Sequence, residues 1–88
     1  MEDLRQSRRR AVGARETLKH LSQGDALRVY IALDADDHVT GPVRLSALAC
    51  GVEVVEVESM QILGRACGID VGAAAAALIG GGGSGADH

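Results

Sequence analysis

The 88-residue chain carries a net charge of −3, and its 47% hydrophobic content is almost wholly aliphatic because Tyr30 is the only aromatic residue. A chain this short builds one core, and its composition excludes aromatic platforms on which nucleic-acid bases stack. The apolar runs are too short or too interrupted for the roughly 20 residues that cross a bilayer, so we expect no membrane association. No apolar stretch follows the N-terminus, so we expect no signal peptide and a cytoplasmic location.

Charge is segregated along the chain. Between Arg5 and Lys19, six basic side chains accompany the single acid Glu16, whereas from Tyr30 to the end eight acidic side chains accompany two basic ones. The electrostatic field of such a charge distribution orients an anionic partner toward the N-terminal third of the chain. On charge alone, the alternative is an ordinary solvated basic face of a helix.

The first predicted element is a surface helix over residues 2–11, which are polar and rich in arginine. A second helix follows over residues 14–21, because its leucines share one face and Gly24 supplies a stop. Residues 27–33 (LRVYIAL) form a continuous apolar run that is typical of a strand covered by helices on both faces.

The next elements alternate in the same way. Residues 34–37 form an acidic turn, and Pro42 suits the first turn of a helix that runs to Cys50. Residues 52–57 (VEVVEV) are predicted as a strand, and Ser59 is a good N-cap for a helix that ends near Gly68.

The last predicted element is ambiguous in type. Residues 73–79 suit a helix by alanine propensity and a buried strand by position, and the preceding alternation favours the strand. The pattern therefore predicts an α/β fold with helices on both faces of a small mixed sheet. We expect one domain over residues 1–79, followed by a disordered glycine-rich tail over residues 80–88.

Neither metal binding nor catalysis is predicted. Cys50 and Cys67 lack metal-type spacing, and we predict both to be small buried side chains without a metal or cofactor. The acidic turn lies beside His38, but no nucleophile is paired with a base. We therefore predict no enzyme activity.

Two segments carry candidate binding chemistry. In VGARETLK, Gly13 precedes a helix whose first turns carry Arg15, Glu16 and Lys19, groups that reach phosphates, guanine edges and base amines. A capped helix with surface charge is the alternative. In LGRACGIDVGAA, Ile69 and Val71 lie in a predicted loop, where apolar residues indicate contact with a partner.

The glycines of this second segment suit three further roles. A phosphate-cradling loop is one, but the segment lacks the Lys-Ser/Thr of a nucleotide-binding P-loop and has no GxGxxG motif. A membrane helix-packing GxxxG is another, and it is opposed by Arg65 and Asp70. The third is tight packing between a helix and a strand, which requires small residues.

From Arg10 to Ile79, the segments VGARETLKHLSQG, VYIALDAD and VEVVEVESMQILGRACGIDVGAAAAALI occur in an order and spacing that closely resemble the kink-turn RNA-binding ribosomal protein L7Ae family. The short chain looks most like the bacterial ribosome-associated members. This resemblance implies a three-layer α/β/α sandwich around a mixed sheet of about four strands.

The resemblance also implies a binding site. In the family, a glycine-led helix start enters the major groove of a sharply bent RNA and contacts tandem sheared G·A pairs, while an apolar loop covers the flipped-out bases. Arg15 replaces the asparagine of archaeal members, and a longer cation still reaches guanine O6 and N7. The implied RNA-binding residues are Gly13, Ala14, Arg15, Glu16, Lys19, Asp36, Gly68, Ile69, Asp70 and Val71. Phosphate contacts are implied for Arg8, Arg9, Arg10 and Arg65.

We therefore expect a non-enzymatic, monomeric RNA-binding protein that stabilises kink-turn RNA. Its expected partners are ribosomal RNA or a structured regulatory RNA, and the ribosome. The alternative is a protein–protein interaction module of the same fold, with lost or redirected RNA binding. In that case residues 69–71 and the acidic strand residues Glu53, Glu56 and Glu58 would contact a partner protein.

Overall fold

Residues 9–80 are described by a computed structural model and form four strands and three helices. The sheet has the order β1-β4-β2-β3, in which β2 and β3 run parallel and β4 runs antiparallel to β1 and to β2. The elements are β1 (Arg10–Val12), α1 (Ala14–Gln23), β2 (Ala26–Ala32), α2 (Asp37–Cys50), β3 (Glu53–Val57), α3 (Met60–Ala66) and β4 (Ala75–Ile79).

Side chains that alternate along β2 divide the core into two apolar clusters. Val29 and Ile31 pack on one face with residues of α1 and α2, and Tyr30 packs on the other face with Leu63 of α3. All of these side chains are almost completely buried. Because helices cover both faces, the structure is the expected α/β/α sandwich around a mixed sheet, and the prediction of a doubly covered strand is confirmed.

The alanine-rich strand β4 lies inside the sheet, between β1 and β2. Ala75, Ala76 and Ala77 are fully buried, so their side chains contribute to both clusters. The preference for a strand over a helix here is confirmed. The position of this segment in the sheet explains the strand, because β4 has a pairing partner on each side, although alanine by itself favours a helix.

The first predicted helix is wrong at its C-terminal end. Arg10–Val12 form strand β1, which pairs with β4 so that Arg10 lies opposite Leu78. A strand of three residues is too short to show an alternating pattern, and its pairing partner is far along the chain. Residues 2–8 of that predicted helix lie outside the described residues.

Helix α2 begins at Asp37 rather than at Pro42. The carboxylate of Asp36 accepts a hydrogen bond from the His38 N–H at 2.8 Å and caps the helix, which places Pro42 inside it. Proline is favoured in the first turn of a helix, but the N-cap at Asp36 comes earlier in the chain and begins the helix there.

Other boundaries agree closely with the predictions, with one correction. Gly24 ends α1 in the left-handed conformation, and the Ser59 hydroxyl caps α3 by accepting from the Ile62 N–H at 3.1 Å. Cys67 is buried as predicted, but Cys50 is exposed because it occupies the last position of α2.

The C-terminal boundary of the described chain is packed. Gly80, the first residue of the predicted tail, is buried and donates its N–H to the Asp25 carbonyl at 2.7 Å. The remainder of the predicted tail lies outside the described residues. Within residues 9–80, none of the helices has the length and hydropathy needed to cross a bilayer.

Candidate functional site

The three segments that carry the predicted site converge at one end of the sheet. Strands β1 and β2 finish at this end and β4 begins there, so that Ile31 lies opposite Ala75. The Gly13 N–H donates to the Ala75 carbonyl at 2.7 Å, and the Ala32 N–H donates to the Ala74 carbonyl at 2.9 Å. The start of α1, the turn after β2 and the loop before β4 are therefore neighbours. We call this region the site end.

At the site end, α1 begins without a side-chain cap. Gly13 is the N-cap with a φ of 101°, a conformation that a residue with a Cβ adopts only with strain. The first N–H groups of an uncapped helix and the positive end of its dipole favour an anion.

The charged residues of α1 face solvent. Arg15, Glu16 and Lys19 are at least partly exposed, whereas Thr17 and Leu21 of the same helix are buried against the sheet. Arg15 and Lys19 are one helical turn apart and share one stripe of the helix. The helix thus presents two cations and one carboxylate beside its own uncapped N-terminus.

Asp36 lies in the turn that follows β2. Its Oδ1 accepts from the His38 backbone N–H at 2.8 Å and lies 3.1 Å from the His38 Nδ1. The side chain is still 67% exposed. The cap fixes the position of this carboxylate while leaving it accessible to a ligand.

The loop between α3 and β4, residues 68–72, is held close to α3. The Ile69 N–H donates to the Gly64 carbonyl at 3.0 Å, and the Ala73 N–H donates to the Met60 carbonyl at 3.0 Å. A Cβ on Gly64 would overlap the carbonyl oxygen of Val71. Gly64 therefore serves tight packing, as the small-residue alternative predicted, but α3 packs here against the loop rather than against a strand.

The two apolar residues of this loop differ in exposure. Val71 is 71% exposed, whereas Ile69 is half-buried and packs against the cluster on the α3 side. Asp70 between them is exposed, as is Gly68. Val71 is therefore the apolar side chain that this loop offers most fully to a partner.

The predicted phosphate-contacting arginines have different surroundings. Arg9 and Arg65 are exposed, but Arg10 is half-buried and its Nη2 donates to the Cys67 carbonyl at 2.8 Å. Arg8 lies outside the described residues. The site end therefore includes one arginine that is already bound to a backbone carbonyl directly before the loop.

Leu33 is a residue of the site end that sequence reasoning assigned to a buried strand. Strand β2 ends one residue earlier, and the Leu33 side chain is 54% exposed. Next to it, Asp34 accepts from the Met60 N–H at 2.8 Å and joins this turn to α3. The only signal in the sequence is that Leu33 is the last apolar residue before the acidic turn.

The site end includes one buried thiol. Burial raises the pKa of the Cys67 thiol above its ordinary value of 9.0, and the nearby Arg10 guanidinium partly opposes that shift. Cys67 is therefore a neutral thiol at physiological pH. Across residues 9–80, no group of three or more His, Cys, Asp or Glu side chains is arranged to hold a metal ion.

Fold and site together define a small α/β/α sandwich with a charged helix start and an apolar loop at one end of its sheet. The sequence matches the Ribosomal protein L7Ae/L30e/S12e/Gadd45 family over residues 1–86. The chain belongs to this family, which confirms the resemblance.

Individual relatives agree with that assignment. The chain is 45% identical over 69 residues to the "RNA-binding protein TTE2299" of Caldanaerobacter subterraneus subsp. tengcongensis, covering 78% of this chain and 84% of the relative. It is 38% identical over 68 residues to "Large ribosomal subunit protein eL8" of Halobacterium salinarum, covering 76% of this chain and 57% of the relative.

A solved structure shows the same fold. The "Giardia lamblia 15.5kD RNA binding protein" superposes with a TM-score of 0.78 at 33% identity, covering 85% of this chain. The present chain spans 63% of that protein.

Proposed function

We propose that the protein is a non-enzymatic RNA-binding protein that recognises kink-turn RNA through the site end and stabilises its bent form. The observation that carries this proposal is the convergence of three separate segments at one end of the sheet, joined by the Gly13–Ala75 and Ala32–Ala74 backbone hydrogen bonds. Family membership, and relatives that are named as RNA-binding and ribosomal proteins, support RNA as the ligand.

Each segment has a role in this proposal. The uncapped start of α1 approaches the RNA, where Arg15 and Lys19 reach phosphates or guanine O6 and N7, and Glu16 accepts from a base amine. Val71 covers bases that are flipped out at the bend, and Asp36 accepts from one of them. Because Tyr30 is buried and is the only aromatic residue, recognition uses shape, hydrogen bonds and aliphatic contact.

The proposed mechanism is selection of the bent RNA. A protein that binds only the kinked form shifts the RNA toward it by no more than the difference in its affinity for the two forms. A shift from 1:99 to 99:1 requires about 5.5 kcal/mol of such a difference. The target is ribosomal RNA or a structured regulatory RNA in the cytoplasm, and the protein binds it as a monomer.

A protein–protein module is the second candidate, and the exposure of Leu33 and Val71 favours it. The acidic residues predicted to contact a partner protein support this candidate less than the sequence indicated. The Glu53 Oε1 lies 3.2 Å from the Arg28 Nε, and the Glu56 Oε2 lies 3.0 Å from the Arg44 Nη1. Both carboxylates therefore already have cationic partners. Salt distinguishes the candidates, because RNA binding through phosphates weakens steeply as salt is added and an apolar contact does not.

The first test is a titration with end-labelled kink-turn RNA at two salt concentrations. The control RNA has its G·A pairs replaced by Watson–Crick pairs. We expect tight, salt-sensitive binding to the kink-turn RNA alone, together with a shorter end-to-end distance. Equal weak binding to both RNAs would contradict kink-turn recognition and favour the protein–protein candidate.

Two substitutions test the surface itself. Glu16→Ala and Lys19→Ala should each weaken binding to kink-turn RNA about tenfold, as expected for loss of a base or phosphate contact. Both side chains lie on the solvent-facing side of α1, so the midpoint of thermal unfolding should change little. Arg28→Ala is the matched control, because it removes one positive charge at the opposite end of the sheet. Unchanged affinity in both site variants would refute the assignment of the surface.

A further inference from the structure

Arg10 connects the edge strand β1 to the end of α3. Its Nη2 donates to the Cys67 carbonyl at 2.8 Å across 57 residues of sequence, in a partly buried contact. A Cβ on Gly68 would lie 3.4 Å from the same nitrogen, so the guanidinium is also beside the first residue of the loop. Arg10 therefore contacts the loop at the point where it leaves the helix.

The Cys67 carbonyl that accepts this hydrogen bond is a favourable partner for a cation. Cys67 is the C-cap of α3, and the last carbonyls of a helix lack partners within the helix and carry the negative end of its dipole. Arginine side chains near a helix C-terminus satisfy such carbonyls. The strand that carries Arg10 is itself fixed, since Arg10 lies opposite Leu78 in the β1–β4 pairing.

We propose that Arg10 is a positioning residue that fixes residues 68–71 against β1 and thereby sets where Val71 meets the flipped-out bases. The effect on RNA rests on the proposed function. The hydrogen bond from the Ala73 N–H to the Met60 carbonyl holds the loop at its other end. We call this bond and the Arg10–Cys67 hydrogen bond together the clamp. Because β1 leads directly into Gly13, the clamp also joins the loop to the start of α1.

This role differs from the phosphate contact that the resemblance implied for Arg10. A phosphate contact adds affinity for any RNA and contributes about one unit to the salt dependence of binding. A positioning residue changes only the interactions that its loop makes. The two roles therefore predict different dependence on salt and on the flipped-out base.

The RNA test compares Arg10→Met with Arg65→Met, which removes an exposed arginine of α3. Each variant is titrated with kink-turn RNA and with the same RNA carrying abasic flipped-out positions, over a range of salt. We expect Arg10→Met to weaken binding to the intact RNA about tenfold and to the abasic RNA little, with an unchanged salt slope. We expect Arg65→Met to weaken both equally and to lower the slope.

A second readout needs no RNA. The rate of maleimide alkylation at Cys67, which is 2% exposed, should rise several-fold in Arg10→Met and stay unchanged in Arg65→Met. Exposed Cys50 is the internal reference in the same mass-spectrometric measurement. Removing the Arg10 charge raises the pKa of the Cys67 thiol further, which slows alkylation, so a faster reaction reports exposure of this thiol at the point where the loop begins.

The two readouts separate the two proposals. If the wild-type protein shows no preference for kink-turn RNA, the proposed function fails while the alkylation rates still test the clamp. An unchanged Cys67 rate in Arg10→Met refutes the clamp whatever the RNA result. Equal weakening on both RNAs with a lower salt slope shows a phosphate contact and also overturns the positioning role.

Discussion

Thr17 is fully buried in α1, and its hydroxyl has no hydrogen-bond partner among residues 9–80. A buried hydroxyl without a partner costs free energy that a methyl group of the same shape does not. We therefore expect Thr17→Val to raise the free energy of unfolding by about 1 kcal/mol, measured by urea denaturation.

Thr40 provides the matched control for this substitution. It is also buried, but its hydroxyl donates to the Asp36 carbonyl at 3.4 Å. Thr40→Val should therefore lower the free energy of unfolding by up to about 1 kcal/mol. Equal losses in both variants would mean that the Thr17 hydroxyl is hydrogen-bonded in solution.

At the residue scale, the sequence predicted the exposure of the charged side chains better than that of the apolar side chains. Glu16 and Lys19 could be placed on the surface because the leucines of α1 mark the opposite face. The contact of Arg10 could not be predicted, because it requires a carbonyl 57 residues away. Leu33 was missed for a related reason, since an apolar run does not show where its strand stops pairing.

At the scale of elements, two glycines in helices have opposite roles. Gly64 in α3 has no room for a Cβ, which would overlap the Val71 carbonyl oxygen, whereas a Cβ on Gly41 in α2 has nothing within 4 Å. Gly64→Ala should lower the free energy of unfolding by about 1–3 kcal/mol through overpacking. It should also displace the loop and weaken binding to kink-turn RNA.

The control for that prediction is Gly41→Ala, which adds the same methyl group. Alanine is the better helix former, so this variant should be more stable by about 0.5–1 kcal/mol with RNA affinity unchanged. Thermal unfolding and RNA titration on both variants measure the two effects. A Gly64→Ala protein as stable as Gly41→Ala would show that α3 and the loop are not packed as described.

Local signals predicted most of the element boundaries. The caps at Gly24 and Ser59 depend on neighbouring backbone groups, and they are present where the sequence indicated. Strand β1 was missed because three residues carry no period, and its existence depends on β4, which is distant in sequence. The start of α2 was misplaced because two valid helix-start signals, Asp36 and Pro42, compete within one segment.

At the scale of the whole molecule, carboxylates of the edge strand β3 neutralise two arginines. The chain has a net charge of −3, and Glu53 and Glu56 on β3 offset Arg28 and Arg44. Replacing both carboxylates with glutamine removes two negative charges from beside these arginines. We expect the double variant to bind plain duplex RNA several-fold more tightly at low salt, with a smaller gain on kink-turn RNA.

Filter binding at two salt concentrations measures this change, and the difference should shrink as salt screens the charges. The double aspartate variant at the same positions is the control, because it keeps both charges. Identical duplex affinity in the wild-type and glutamine proteins would show that the charge of this sheet edge does not contribute to discrimination.

The site itself arises at this same scale, because chain topology brings distant segments to one end of the sheet.

The buried position of Tyr30 has a spectroscopic consequence. The chain contains no tryptophan, so its intrinsic ultraviolet fluorescence comes from one tyrosine that is 2% exposed in the core. That emission reports the integrity of the core, and a ligand at the protein surface does not stack on the ring. Folding of the free protein can therefore be followed through its own emission, while RNA binding is followed through a label on the RNA.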